Sequence, residues 1–423
     1  MSDVEQAVAD AHRREWAFVL AATVRVTRDL DMAEEAVQDA YVQALRTWGR
    51  DGVPGRPGAW LTTVARRRAL NAVRRRTTLD AKLPLLLGPL DTASTTPEPP
   101  GPIEDDRLRL IFTCCHPALA QEAQVALTLR LVCGVATPDI AQAFLVTQAT
   151  MAARITRAKR KIAVARIPFA VPAADLPARL DAVLSVIHLL YATGHTAPSG
   201  DELVQDELTS RALDLARLLR RLLPAEREAA GLLALLLVHQ ARRATRTDRD
   251  GRLLRLEEQD RGRWDRELIA EADRLVVGAL EAGPPGRFTL QAAIAALHAQ
   301  APTYAVTDWP QILTLYDALA HVWPSPVVAL NRAVAVAMVE GPAVALAEVE
   351  ALERDARLAG YRYLPATKAD LLHRLGRDTE AVQAYREALA LSDNAAEQDF
   401  LAERVRSTQA GSGGPPQRSL PDR

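Results

Sequence analysis

The segment Thr137–Ile162 reads TPDIAQAFLVTQATMAARITRAKRKI and sets an apolar stripe against a basic face. Met151, Ile155, Ala158 and Ile162 recur at i, i+4, i+7 and i+11, the spacing of one buried side of a helix over about Gln148–Ile162. Around the remaining faces stand Gln148, Thr150, Arg154, Thr156, Arg157, Arg160 and Lys161. Guanidinium, ammonium and hydroxyl groups pair with phosphate oxygens and with the acceptor edge of guanine, and the major groove is wide enough to admit a helix. The chemistry these residues offer is recognition of a duplex rather than bond making. A shorter helix over Thr137–Phe144 and a turn at Leu145–Thr147 precede it, completing a helix-turn-helix. Taken alone, the same pattern also fits a helical hairpin with a solvated basic face.

A second basic cluster, Arg66–Arg68 and Arg74–Arg76, lies on a helix expected from about Pro57, with proline in its first turn. Trp60, Leu61, Val64, Leu70 and Val73 are expected to point inward from it. Other reactive residue types are less suited to chemistry. Cys114 and Cys115 are adjacent and Cys133 is 18 residues on, poor spacing for a zinc site, so packed core thiols are favoured over a metal or redox centre. His188 and His195 flank Tyr191 and Gly194; a helix end capped by Gly194 is the default reading, a ligand pocket the alternative. Asp260, Arg261, Trp264, Asp265 and Arg266 mimic a paired-carboxylate site, but salt bridges between domains account for them better. No Ser/His/Asp set, phosphate loop or metal spacing accompanies them, so no enzyme activity, cofactor or metal is expected.

These clusters need elements to hold them. The chain has 423 residues, 48% of them hydrophobic, 25% charged and only 4% aromatic, with abundant Ala, Leu and Arg. That composition predicts an all-α, multidomain protein. Over residues 31–48, Ala33, Ala36, Val37, Ala40, Tyr41, Ala44, Leu45 and Trp48 share one face of a helix. Glu34, Glu35, Gln38, Asp39, Gln43 and Arg46 share the other. The glycine- and proline-rich stretch Gly49–Gly58 ends it. Six prolines between Pro84 and Pro102 mark a flexible linker. The predicted layout is 1–78, a first helical domain; 79–104, the linker; 105–166, a second domain ending in the helix-turn-helix; 167–287, a helical extension; 288–408, helix pairs; and 409–423, a disordered tail. Within 288–408, Ala329–Leu352 echoes Ala366–Leu389 at an offset of 37 residues, close to the period of a tetratricopeptide repeat. The pairs suit a peptide-binding groove and equally a pack against residues 167–285.

Charge divides unevenly. Residues 1–166 hold 23 Lys/Arg against 18 Asp/Glu, and residues 167–423 hold 29 against 35. The basic front half suits nucleic acid and the acidic back half does not. Three cysteines point to a reducing compartment, and no apolar run of membrane-spanning length or signal core is visible, so a cytoplasmic protein with no membrane partner is expected.

AEEAVQDAYVQALRTW (Ala33–Trp48), PGAWLTTVARRRALNAVRRR (Pro57–Arg76) and Thr137–Ile162, in that order around a Pro-rich linker, resemble the extracytoplasmic-function group of bacterial sigma-70 factors. The resemblance covers residues 1–166. It implies that Glu34, Glu35, Gln38 and Asp39 dock on the clamp helices of the largest subunit of core RNA polymerase, with a further contact at the flap. It implies that Arg50, Arg56, Trp60, Arg66, Arg67, Asn71, Arg74 and Arg75 grip the melted −10 promoter DNA. Gln148, Thr150, Arg154, Thr156, Arg157, Arg160 and Lys161 would read the −35 element. Arg67 stands where such factors usually carry Asn, Asn71 where they carry Asp, and Leu145 in place of the turn glycine. FTCCHPAL (Phe112–Leu119), ATGHTAPSGDELV (Ala192–Val204) and EEQDRGRWDRELI (Glu257–Ile269) look like the subgroup with a long tetratricopeptide-like extension that takes over regulation. Its neighbours often encode small DGPF (YCII-related) proteins, a candidate partner. The function implied is promoter-specific transcription initiation. The alternative is a tetratricopeptide scaffold with a conventional helix-turn-helix that never docks on polymerase.

Overall fold

Alanine-rich faces let three helices approach closely at the start of the chain. In the computed structural model these are α1 (Asp3–Thr27), α2 (Leu30–Asp51) and α3 (Pro57–Lys82). The structure describes residues 3–82, 105–144, 146–171, 173–195, 199–200, 206–249 and 251–411. Most of the expected linker and the far end of the expected tail lie outside them. Asp29 starts α2: its carboxylate accepts from the backbone N–H of Asp31 and Met32, both at 3.0 Å, satisfying donors the helix cannot. Val19, Leu20, Val37, Ala40, Ala44, Leu61 and Ala65 form the shared core. Two residues expected inside are not. Leu45 is 47% exposed and Leu70 44%. Leu70 stands nine residues after Leu61, half a turn off its face at about 100° per residue, so Ala65 and Ala69 take the inward positions. Leu45 sits at the edge of the Ala33–Trp48 stripe.

A second group follows: α4 (Asp106–Cys114), α5 (Gln121–Leu127), a π turn over Thr128–Val132, α6 (Thr137–Ala143) and α7 (Gln148–Val164). With α8 (Leu176–His195) they complete a compact unit over residues 1–190; residues 191–423 form another. Gly194 lies within α8, which ends one residue later, so it is not the expected cap; its φ is not in the left-handed region.

The second unit holds α9 (Asp206–Leu222), α10 (Arg227–Ala241), α11 (Arg266–Glu281), α12 (Arg287–Gln300), α13 (Trp309–Val322), α14 (Pro326–Val339), α15 (Pro342–Leu352), α16 (Tyr363–Arg374), α17 (Asp378–Ala390) and α18 (Ala395–Gly411). Residues 409–411, expected in the tail, belong to α18. Two two-residue strands, β1 (Ser199–Gly200) and β2 (Asp393–Asn394), pair in parallel. The apolar run Gly231–Val238 lies in α10, where every residue from Ala229 to Val238 is buried. It is a core helix wrapped on all sides, and no described helix is long and apolar enough to cross a membrane. Glu228 of α10 caps α12, whose N-cap Gly286 has no side chain. Its carboxylate accepts from the N–H of Gly286 at 3.1 Å, Phe288 at 2.8 Å and Thr289 at 3.2 Å. An anion at a helix N-terminus meets both the free donors and the dipole.

The helix pairs α14/α15 and α16/α17 begin 37 and 36 residues apart, in line with the sequence echo. Leu330, Ala333, Leu346, Val349, Leu371, Leu372, Ala381 and Tyr385 form one core across them.

At Gly231 a Cβ would fall 2.6 Å from the Thr289 backbone nitrogen, an atom that cannot swing aside as a side chain can. Gly231→Ala should destabilise the chain by about 1–3 kcal/mol, the usual range for overpacking. Thermal unfolding followed by circular dichroism checks this; an unchanged midpoint would mean that α12 shifts without cost.

Candidate functional site

The helix-turn-helix has the register expected from its stripe. Met151, Ile155, Ala158 and Ile162 are all buried. Thr147 caps α7, its hydroxyl accepting from the Thr150 N–H at 3.1 Å and lying 2.8 Å from the Thr150 hydroxyl. The Thr150 hydroxyl is therefore partly engaged by the cap. Gln148, Thr150, Thr156, Arg157, Arg160 and Lys161 are exposed and Arg154 is half-buried. Lys161 donates to the carbonyl of Ala118. The remaining residues of this face can meet phosphates and base edges, the groups a major groove presents.

On α2, Glu35, Gln38 and Asp39 are exposed, but Glu34 is only 6% exposed. Glu34, expected on the polar face, lies inside the first unit. Lys159 of α7 reaches it at 2.6 Å and Asp31 at 2.7 Å. Arg130, from the π turn, pairs with its other oxygen, on which the Gln38 amide also donates at 3.2 Å. Burial acts to lower the Lys159 pKa, but Glu34 and Asp31 outweigh it and hold the ammonium above its ordinary value.

Other contacts close the same seam. The Trp16 indole donates to the Leu131 carbonyl at 3.0 Å. Gly134, at φ +70°, presses on the rings of His12 and Trp16, where a Cβ would stand 2.8 Å from His12. Arg25 meets Asp106 at 3.3 Å. The α1–α3 group and the helix-turn-helix group are thus shut against each other. Sequence reasoning missed Lys159 and Arg130. The available signal was position: Lys159 follows Ala158 at the margin of the buried stripe, and Glu34 adjoins Ala33 at the margin of its own.

The residues expected on melted DNA are spread along α3 and the loop before it. Arg56, Arg66, Arg67, Asn71, Arg74 and Arg75 are exposed. Arg50 is exposed but chelated by Asp51 at 2.7 and 3.0 Å. Trp60 is half-buried, edge-on to Trp48 with ring centres 5.6 Å apart. Two arginines of the basic run tie α3 back toward α2: Arg68 holds Asp39 at 2.6 Å and Gln43 at 3.1 Å, and Arg76 holds the N-cap Asp29 at 3.0 Å.

The cysteine cluster packs as a core. Cys114 and Cys115 are buried, the Cys115 sulfur lies 3.5 Å from the Thr128 hydroxyl, and burial pushes its thiol up to about 12. Such a thiol stays protonated and is a poor nucleophile. Among the described residues the charged motif at 260–266 forms none of the expected salt bridges. Asp260 and Asp265 accept from backbone N–H groups at the starts of the next turn and of α11. Buried Arg261 donates to the carbonyls of His298 and Ala301 and stacks on Trp264, 4.9 Å from the ring centre. Its residues serve local caps and a buried cation.

Comparison with known proteins gives matches in the same order along the chain. A model of sigma-70 region 2 matches residues 11–78, and one of sigma-70 region 4 matches residues 109–162. A family of unknown function, DUF6596, matches residues 179–280. An uncharacterised protein of Rhizobium meliloti (strain 1021) is 45% identical over 387 residues, spanning 90% of this chain and 91% of that protein. The ECF RNA polymerase sigma factor SigK of Mycobacterium sp. (strain KMS) is 42% identical over 69 residues, 16% of this chain and 36% of SigK. SigK of strain JLS matches to the same extent.

Removing one member of the buried ion group tests its weight. Lys159→Met leaves Glu34 with Arg130 as its one cation and the Gln38 amide, and should cost about 2–4 kcal/mol, somewhat under the loss of a sole partner. Lys159→Arg should recover most of it. Urea unfolding of the full chain reports both; equal midpoints for wild type and Lys159→Met would show the contact to be energetically idle.

Proposed function

We propose that this chain is a member of the extracytoplasmic-function group of sigma-70 factors and that it joins core RNA polymerase and directs it to promoters. The family is non-enzymatic, and its region 2 and region 4 domains imply binding to core polymerase and promoter DNA. The single observation that carries the finer reading is α7: its apolar stripe is buried, while Thr156, Arg157 and Arg160 are exposed.

On this reading α7 lies in the major groove of the −35 element, with Arg157 and Arg160 on guanine edges or phosphates. The loop after α2 and the arginines of α3 hold the −10 strand once it is melted, by phosphate contacts and capture of an unstacked base. Glu35, Gln38 and Asp39 face the clamp helices. Glu34 joins them only when Lys159 and Arg130 let go, so polymerase docking and opening of the seam are one event. The closed form lowers the fraction of chain competent to dock, and with it the apparent affinity.

The extension beyond residue 166 governs how readily that opening occurs. Its later helix pairs act as tetratricopeptide-like hairpins, supported by their 37- and 36-residue offsets. A small DGPF-type (YCII-related) protein is the partner that the resemblance offers it.

Run-off transcription with purified core polymerase, on the DNA upstream of the chain's own coding sequence, tests the function. A transcript of defined start should appear only with the chain present. Glu35→Arg combined with Asp39→Arg should abolish polymerase retention while leaving helical content intact. Arg157→Ala should weaken dependence on the −35 sequence by about tenfold or more. Tight binding to duplex promoter DNA without polymerase, and no transcript, would instead favour the scaffold with a conventional helix-turn-helix.

A further inference from the structure

The second unit contains a cationic cavity that promoter recognition does not use. It has a volume of about 380 Å³ and is lined by His195, His239, Arg242, Arg246, Arg255 and Gln259. Leu253, Leu254, Leu256 and Phe400 supply its apolar wall. No carboxylate lines it among the described residues. This volume falls within the range of small-molecule sites, which pair an apolar wall with a few directed polar groups.

Three of the polar groups carry an atom with no hydrogen-bond partner among the described residues. Arg242 meets the Nδ1 of His239 at 3.0 Å through one terminal nitrogen, while its buried Nε has no hydrogen-bond partner. Gln259 is 9% exposed; its amide nitrogen donates to the Leu254 carbonyl at 3.2 Å, and its Oε1 is buried without a partner. The Nδ1 of His195 is likewise buried and unpartnered. The His195 ring stacks on Tyr191 with centres 5.4 Å apart and stands 5.2 Å from His239. Arg246 donates to the His195 carbonyl, and Arg255 pairs with Glu257 at 2.7 Å. Burial, with Arg246, Arg242 and Arg243 close by, drives His195 down to about 2, and burial lowers Arg242 to about 10. Positive charge is crowded here, and an anion would relieve it.

A larger neighbouring cavity, about 670 Å³, shares Arg255, Leu256 and Phe400. Its charges are matched from within: Arg404 contacts Asp370 at 3.4 Å and the Tyr385 hydroxyl at 2.8 Å, and His373 contacts Asp378 at 2.7 Å. Among the described residues lining the smaller cavity there is no carboxylate, and the Arg242 Nε, the Gln259 Oε1 and the His195 Nδ1 have no hydrogen-bond partner.

We infer that the cavity bounded by Arg242, Arg246, Arg255, His195 and Gln259 binds a small organic oxyanion, its carboxylate or phosphate head on the arginines and its body on the leucines and Phe400. Gln259 Oε1 accepts from a hydroxyl or N–H group beside the head. Buried guanidinium groups suit both heads, because their fork of donors matches two oxygens at once. This deepens the proposal that the extension regulates the sigma domains, and rests on it, by naming a class of signal: a small metabolite anion.

The test needs no polymerase, so its failure is separate from that of the sigma-factor reading. Thermal unfolding and calorimetry of the full chain are run with benzoate, phenyl phosphate and uncharged benzamide. At least one anion should raise the midpoint saturably at concentrations up to about 10 mM, as a ligand selective for the folded state must; benzamide should not. A response to benzoate assigns a carboxylate and a response to phenyl phosphate a phosphate. Arg242→Met should weaken the binding at least about tenfold. Gln259→Leu, which removes no charge, should weaken it less and covers the case in which Arg242→Met does not fold. No shift with either anion, an equal shift with benzamide, or binding untouched by both substitutions would overturn the proposal.

Discussion

A buried carboxylate must have cationic partners, and in the first unit Glu34 takes them from outside its own helix group. Lys159 comes from the helix that carries the exposed basic face, and Arg130 from the turn that precedes the helix-turn-helix. A charge removed from water costs several kcal/mol unless it is paired and hydrogen-bonded. Glu34 therefore makes the closed seam a two-position choice: paired with Lys159 and Arg130, or returned to solvent or to another partner. Trp16, Gly134 and Asp106 set the fit of the seam, and Glu34 sets its electrostatic condition.

This arrangement separates surfaces ready for use from surfaces withheld. The arginines of α3 and the outer face of α7 are exposed. The polar face of α2 is divided, with Glu35, Gln38 and Asp39 outward and Glu34 inward. On the proposed reading, a withheld Glu34 would couple polymerase docking to opening of the seam, and would give the extension an equilibrium to bias.

Much of this was legible in the sequence because helices announce themselves by period. The stripe Met151, Ile155, Ala158, Ile162 fixed the register of α7, and the all-helical class followed from composition. The 37-residue echo anticipated two helix pairs of matching offset. Period does not report on residues at the margin of a stripe. Glu34, Lys159 and Leu45 all sit at such margins, where a neighbouring element decides whether a side chain is covered. Leu70 is apolar in type but stands half a turn off the Leu61 face, and angular position decides. The motif at 260–266 looked like salt bridges because charges of both signs are dense there, but its carboxylates meet backbone N–H groups and Arg261 meets carbonyls. Gly194 read as a helix end, yet α8 passes through it and so brings His195 to the wall of the cationic cavity. Long-range pairing of this kind, Glu34 with Lys159 or Glu228 with the start of α12, has no local sequence signature.

The most direct measurement is the distance between α2 and α7 in the full chain, by pulsed electron paramagnetic resonance with labels at the exposed positions Val42 and Ala152. It would be taken in the free chain and again with core polymerase bound. The account predicts one short, narrow distance in the free chain and a longer one in the complex, with Lys159→Met shifting the free chain toward the longer distance. An unchanged short distance in a polymerase-bound, transcribing complex would contradict it, because Glu34 would then stay covered while the chain does its work.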